Sequence, residues 1–213
     1  MDEKITVLIA DDHPVARSGI RSILEQAADM QTVGEAQDGT EAQKMVAELH
    51  PDILLLDLKM PGLSAFEVHE WARAHYPETV TLILTMHDRD FYLVGMMEAG
   101  AAGFLTKSQC AEDLIAGIRR AAGGESLFTQ EQMGRVLHWQ ATDGRKWKSL
   151  TKREQDILRL LAEGLSNADI AKAIGITSKT VAYHVTNILE KLEVRSRQAA
   201  VAWAHKNLPD NLE

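Results

Sequence analysis

The chain has 213 residues, a formal net charge of -8 and a single cysteine, Cys110. One cysteine excludes an internal disulfide framework and a cysteine-rich zinc cluster, and no apolar run approaches the roughly 18 residues that indicate a membrane span. The first twelve residues carry acids instead of the basic start of a secretion signal. The composition therefore predicts a soluble cytoplasmic protein without a membrane partner, built as one large domain or two compact ones.

The charge is divided unevenly along the chain. Through Glu125 there are 10 basic and 21 acidic residues, a net charge of -11, whereas the remainder has 13 basic and 10 acidic residues, a net charge of +3. Between Arg145 and Lys206 the counts are 12 basic and 6 acidic. Only the C-terminal part is thus suited to approach a phosphate backbone, and we expect the two parts to have different functions.

In the first part, short apolar runs alternate with helical patterns. The predicted strands are Ile5 to Ala10, Thr32 to Ala36, Ile53 to Leu56, Val80 to Leu84 and Gly103 to Leu105. The predicted helices are about Pro14 to Ala27, Thr40 to Leu49, Ala65 to Ala74, Asp90 to Glu98 and Ala111 to Ala122. This alternation predicts an α/β fold with a doubly wound, five-stranded parallel sheet.

Polar side chains follow four of these strands. Asp11 and Asp12 follow the first, Asp57 the third, Thr85 the fourth, and Lys107 comes two residues after the fifth. Because ligands of open parallel sheets bind at the carboxyl ends of the strands, these side chains are expected to converge. Three carboxylates repel one another, and Mg²⁺ is the natural counter-ion for an all-oxygen set. Each residue alone also has an ordinary role, as helix cap, turn residue or solvated charge.

The same residues resemble those of bacterial response-regulator receiver domains, over residues 1–125. The resemblance runs through Asp11-Asp12, Asp57-Leu58-Lys59-Met60-Pro61-Gly62, Thr85 and Phe104-Leu105-Thr106-Lys107. It implies a flavodoxin-like fold in which Asp57 is the phosphoacceptor. It further implies that Asp12, Asp57 and the backbone carbonyl of Lys59 bind Mg²⁺, with Asp11 acting through water. Lys107 would contact the phosphoryl group, and Thr85 and Phe104 would form the switch.

After Gly123-Gly124 the strand patterns end. Residues 126–148 are predicted to be a linker with a helical piece. Four helices are predicted beyond it, at about Lys152 to Glu163, Asn167 to Ala173, Lys179 to Leu192 and Arg197 to Lys206. Capping boxes are predicted at two of their starts, Thr151 to Glu154 and Ser166 to Asp169.

This second part, residues 149–213, resembles the all-α, four-helix, helix-turn-helix domain of LuxR-type and FixJ-type regulators. The resemblance runs through Leu150 to Glu154, Gly164 to Ala171, Ser178 to Val181, His184 and Lys191-Leu192. It implies that the third helix reads the major groove of double-stranded DNA. The predicted DNA-binding residues are Thr177, Ser178, Lys179, Ala182, Tyr183, Thr186 and Asn187.

Three further expectations concern the same domain. Gln198, Val201 and Ala202 offer a surface for a homodimer. Glu193 stands where relatives usually have Gly or Asn, which predicts a left-handed backbone conformation. The alternative to DNA binding is an amphipathic helix within a protein-binding module.

Together the two resemblances identify the chain as similar to the NarL/FixJ family of two-component response regulators. The implied function is a transcription regulator that a sensor histidine kinase phosphorylates, releasing the C-terminal domain to dimerise and bind operator DNA. A phosphorylation-independent regulator or scaffold is the alternative. An aspartyl-phosphate phosphatase needs a second acid two residues after the nucleophile, where this chain has Lys59. We therefore expect no enzyme activity beyond self-phosphorylation and slow self-dephosphorylation.

Overall fold

The computed structural model describes residues 4–86 and 89–208. These residues divide into two compact units, one of residues 4–86 and 92–132 and the other of residues 89–91 and 133–208. Each unit has its own cluster of buried apolar side chains.

The first unit is built on a five-stranded parallel sheet in the order β2-β1-β3-β4-β5. Its strands are β1 (Ile5–Ala10), β2 (Met30–Ala36), β3 (Ile53–Leu56), β4 (Val80–Thr85) and β5 (Gly103–Thr106). The alternating helices are α1 (Pro14–Leu24), α2 (Gly39–Leu49), α3 (Ala65–His75), α4 (Asp90–Ala99) and α5 (Ala111–Ala122). The predicted doubly wound fold is confirmed.

Burial explains the sequence pattern of the central strands. All four residues of β3 are at most 1% exposed, as expected for a strand covered on both faces, and such a strand needs no polar alternation. Two element bounds differ from the prediction by more than one residue. β2 begins at Met30 because Met30 pairs with Ile5 of β1. α1 ends at Leu24 because, after the Glu25 amide, those of Gln26 and Ala27 bond only three residues back in a tightened last turn.

The second unit is helical. It contains α6 (Gln130–Ala141), which begins at the boundary, and α7 (Asp143–Ser149), α8 (Lys152–Ala162), α9 (Asn167–Ile174), α10 (Ser178–Leu192) and α11 (Arg197–Asn207). The segment predicted as a linker thus holds two helices, and α7 was missed. It has only seven residues, and tertiary contacts hold it. Trp147 packs against the second core, and Lys146 forms an ion pair with Glu193 at 2.8 Å.

The helix starts follow the predicted capping chemistry, with one correction. Thr151 and Glu154 form the full capping box. At α9, Ser166 Oγ accepts from the Asp169 amide, but the Asp169 carboxylate accepts from the Ser166 hydroxyl at 2.6 Å. Aspartate is one methylene shorter than glutamate, so a side-chain bond replaces the expected reciprocal bond to the backbone. Glu193 has φ 57°, which confirms its predicted left-handed conformation.

Candidate metal centre and nucleic-acid interface

The strand ends bring three acidic side chains to one edge of the sheet. Asp11 and Asp57 extend the strand ladder, because the Asp11 amide donates to Ala36 and the Asp57 amide donates to Ala10. Both residues are buried, at 1% and 4% exposure. One carboxylate oxygen from each of Asp11, Asp12 and Asp57 lies within 4.8 Å of the others, and the His13 imidazole joins the same group. The structure therefore brings the predicted carboxylates together.

Lys107 bridges two of these acids. Its Nζ lies 2.7 Å from Asp57 Oδ2 and 2.7 Å from Asp11 Oδ2, and its amide donates to the Thr85 carbonyl at 3.0 Å. Burial acts to lower the pKa of Lys107, but hydrogen bonds to Asp11 and Asp57 outweigh it, so the pKa lies above its usual value. Lys107 is therefore a cation at every physiological pH.

Asp12 does not cap the first helix. The N-cap residue of α1 is His13, which precedes Pro14. The Asp12 side chain is 33% exposed, and the His13 Nδ1 atom lies 2.6 Å from its Oδ1. Sequence reasoning did not assign His13 to the pocket, although its position directly after Asp11-Asp12 was the available signal. The role predicted for the backbone carbonyl of Lys59 stays a prediction.

The two predicted switch residues are both buried. Thr85 ends β4 with no exposed surface, and Phe104 in β5 is 1% exposed. The side-chain amide of Gln132 donates to the Phe104 carbonyl at 2.8 Å. Phe104 is thus buried, as Thr85 is.

The second unit contains a helix-turn-helix. Gly175 ends α9 with φ 68°, and the Thr177 hydroxyl caps α10 by accepting from the Thr180 amide at 3.1 Å. Val181, Ile188 and Leu192 of α10 have no exposed surface, so this stripe anchors the helix in the core. The opposite face of α10 is free to contact a ligand.

Six of the seven predicted DNA-binding residues are exposed, and the seventh, Asn187, is half-buried. Tyr183 is the largest exposed side chain among them, at 65% exposure. The Thr186 hydroxyl donates to the Ala182 carbonyl within the helix. The exposed members are Thr177, Ser178, Lys179, Ala182, Tyr183 and Thr186.

The predicted dimer surface lies on α11. Gln198 and Ala202 are exposed, whereas Val201 is half-buried and packs partly against the core of its own unit. In the described part of the chain, no helix is both long and apolar enough to cross a membrane.

Comparison with known proteins identifies a family for each of the two units. Residues 7–119 match the model of the response regulator receiver domain, and residues 148–204 match that of the bacterial regulatory proteins of the luxR family. The matches cover the acidic pocket and the helix-turn-helix, respectively.

Similar proteins extend over nearly the whole chain. The transcriptional regulatory protein LiaR of Bacillus subtilis is 38% identical over 206 residues, 95% of this chain and 98% of LiaR. The nitrate/nitrite response regulator protein NarL of Escherichia coli is 35% identical over 209 residues, 96% of each chain. A structure of RcsB from Salmonella enterica serovar Typhimurium, bound to promoter rprA with the phosphomimetic BeF3-, has a TM-score of 0.62 at 28% identity and covers 94% of this chain and 98% of RcsB. The chain therefore belongs to the NarL/FixJ family of response regulators and is a transcription regulator with a receiver domain and a LuxR-type DNA-binding domain.

Proposed function

We propose that Asp57 accepts a phosphoryl group from a sensor histidine kinase and that this modification releases the C-terminal unit to dimerise and bind operator DNA. The observation that carries the proposal is the environment of Asp57. Its buried carboxylate is paired with Lys107 and lies within 4.8 Å of two further acidic groups. Such a concentration of charge at strand ends suits phosphoryl transfer.

The pocket residues fit a bound Mg²⁺ ion. Asp11, Asp12 and Asp57 carry three negative charges, and Lys107 compensates one of them, so a divalent cation balances the remaining two. Asp12, Asp57 and the Lys59 carbonyl would hold the ion, with Asp11 acting through water. When bound, Mg²⁺ reduces the repulsion between the Asp57 carboxylate and the incoming phosphoryl oxygens.

Several residues of the chain have separate roles in the phosphoryl transfer. An Asp57 oxygen is the nucleophile, which forms a P–O bond as the P–N bond of the phosphohistidine breaks and its electron pair returns to the leaving imidazole. The Leu58 amide donates to Asp57 Oδ1 at 2.7 Å and holds the carboxylate in place. Lys107 neutralises phosphoryl oxygens, and the Thr85 hydroxyl donates to one of them once the group is attached.

Two features limit the chemistry after transfer. Lys59 stands where a phosphatase needs a second acid, so only slow self-dephosphorylation follows. Phe104 carries no hydroxyl, so the burial of its ring alone distinguishes the switch states. The proposed role is therefore that of a signalling protein, and not of an enzyme that turns over a substrate.

The second unit carries out the response, which is binding to DNA. The exposed face of α10 enters the major groove, with Lys179 and the N-cap region at phosphates and Tyr183 near base edges. Gln198, Val201 and Ala202 of α11 pair two copies, so that two recognition helices meet half-sites about one helical turn apart. The partners are thus a sensor kinase, double-stranded DNA and a second copy, all of which are met in the cytoplasm.

A phosphodonor assay with Mg²⁺ tests the proposal. We expect stoichiometric, acid-labile labelling of the wild-type chain and none of Asp57→Asn, which removes the nucleophile but keeps the side-chain shape. Asp113→Asn, an exposed change on α5, is the matched control and should label normally. Normal labelling of Asp57→Asn would refute the phosphoacceptor. Turnover by the wild type would indicate an enzyme, and no labelling of it would indicate a scaffold.

A further inference from the structure

We propose that Gln132 is a positioning residue of the phosphorylation switch, because its side-chain amide connects the first turn of α6 to the backbone of Phe104. A displacement of β5 at Phe104 is then transmitted to α6, a helix that begins in the first unit and continues into the second. The inference rests on the proposed function and identifies one contact through which that switch acts.

The chain that follows α5 runs beside β5, which is the last strand of the sheet. The Leu127 amide donates to the Ala102 carbonyl at 2.7 Å, and the Gln132 side-chain amide donates to the Phe104 carbonyl at 2.8 Å. Because Ala102 and Phe104 are two residues apart, their carbonyls lie along the same edge. Gln132 is also the last residue of the segment that belongs to the first unit. Its bond therefore attaches the beginning of α6 to the edge of the sheet.

The same side chain fixes the start of α6. Gln132 Oε1 accepts from the Thr129 amide at 3.0 Å, and the Gln132 amide donates to Thr129 Oγ1 at 3.1 Å. This is the reciprocal pattern of a capping box. The oxygen of the Gln132 side chain thus serves the helix, while its nitrogen serves β5, and the two roles cannot be exchanged because only the nitrogen donates.

A cap alone does not require this nitrogen. Glutamate at the same helix position completes a capping box as well as glutamine does, but a carboxylate has no proton to donate to a carbonyl. The bond from Gln132 to Phe104 is therefore additional to the helix start, and it reaches the one residue of β5 to which a part in the switch is assigned.

Phe104 is placed to move this bond. Its ring is 1% exposed, and its backbone pairs with Ile83 of β4, two residues before Thr85. Protein interiors are close-packed, so repacking of a large buried ring shifts the strand that carries it. A hydrogen bond of 2.8 Å weakens steeply when it is stretched or bent. The first turn of α6 consequently follows Phe104 while Gln132 holds it.

The test compares Gln132→Glu with the wild-type full-length chain. At neutral pH the glutamate keeps an oxygen for the Thr129 amide, so the cap of α6 remains, but it cannot donate to the Phe104 carbonyl. The measured quantity is the ratio of DNA affinities with and without acetyl phosphate and Mg²⁺, at equal dimer concentration, on a duplex selected by binding. We expect this ratio to fall roughly 2-fold to 12-fold in Gln132→Glu, the range that one hydrogen bond spans.

Two further readouts separate this role from a merely structural one. Labelling of Asp57 should stay normal in Gln132→Glu, because the acidic pocket is untouched. The ¹³C resonance of the Phe104 carbonyl should move upfield, because that carbonyl loses its hydrogen bond. The matched control is Gln130→Glu, the same change at an exposed position in the same turn of α6, which should behave as wild type.

Three outcomes would overturn the inference. They are an unchanged affinity ratio in Gln132→Glu, an unmoved Phe104 carbonyl resonance in that variant, and an equal fall of the ratio in Gln130→Glu. The last would mean that the added charge alone weakens the response. A wild-type ratio of one would instead overturn the proposed function itself, so the two failures are distinguishable.

Discussion

At the scale of single residues, the DNA-binding unit contains a buried carboxylate, Glu154, which is paired with Lys191. Glu154 is 3% exposed, its Oε2 lies 2.6 Å from Lys191 Nζ, and it also accepts from the Thr151 amide. Burial acts to raise the pKa of Glu154, but the hydrogen bonds from Lys191 and Thr151 outweigh it, so the pKa lies below its ordinary value of 4.5. A carboxylate with a depressed pKa stabilises the fold above its unfolded pKa, and this stabilisation is lost as the pH falls through the folded pKa.

We therefore expect Glu154→Gln to lower the free energy of unfolding of this unit by about 1–3 kcal/mol at neutral pH. It should also flatten the decline of stability below pH 4.5, since no carboxylate remains to be protonated there. Urea denaturation of the chain from neutral to acidic pH, followed through amides of α8, measures both effects. Glu163→Gln, an exposed change next to the end of α8, is the control. An unaltered acid dependence in Glu154→Gln would contradict the argument.

Helix ends show a second kind of constraint. α10 ends in Glu193 with φ 57°, and its carboxylate pairs with Lys146 of α7. A non-glycine residue in a left-handed conformation generally costs about 1–2 kcal/mol. Glu193→Gly and Glu193→Ala both remove the ion pair, but only the glycine removes the steric cost. We expect the glycine variant to be the more stable of the two in thermal denaturation. Equal melting temperatures would show that the backbone there is relaxed.

The exposed face of α10 allows its proposed electrostatic and base-reading contacts to be separated. Lys179→Ala should reduce the slope of log affinity against log salt by about one unit, because one phosphate contact is lost. Tyr183→Ala should leave that slope unchanged and alter the sequence preference. Fluorescence anisotropy across a salt series, on a duplex selected by binding, tests both variants. An unchanged slope in Lys179→Ala would remove Lys179 from the phosphate contacts.

For the whole molecule, the division of charge predicts how the two units influence each other. The part through Glu125 has a net charge of -11 and repels DNA, whereas the remainder has +3 and attracts it. We expect residues 133–213 alone to bind operator DNA without phosphorylation. The unphosphorylated full-length chain should bind roughly 5-fold to 150-fold more weakly, a coupling of about 1–3 kcal/mol. The comparison requires equal dimer concentrations, and equal affinities would exclude relief of inhibition by phosphorylation.

Local rules made much of the fold and part of the site predictable. The apolar run of β3, the capping box at Thr151 and the left-handed Glu193 each follow from the chemistry of a few adjacent residues. The strand-end positions of Asp11 and Asp57 were equally predictable, because parallel strands place their carboxyl ends at one edge. Family resemblance then added functions that periodicity alone does not supply.

The sequence by itself thus determined the order of the elements, the convergence of the acids and most of the exposed residues of α10 that are predicted to bind DNA. Only the tertiary structure decided that α7 is helical, that Phe104 is buried and that the His13 ring stands beside Asp12. The physical reason is the range of the interactions. Caps and periodic burial act over a few residues, whereas α7 packs through Trp147 against a core of distant helices, and its Lys146 pairs with Glu193, 47 positions away. The direction of a side chain such as His13 depends on the space that the packed helices and strands leave around it.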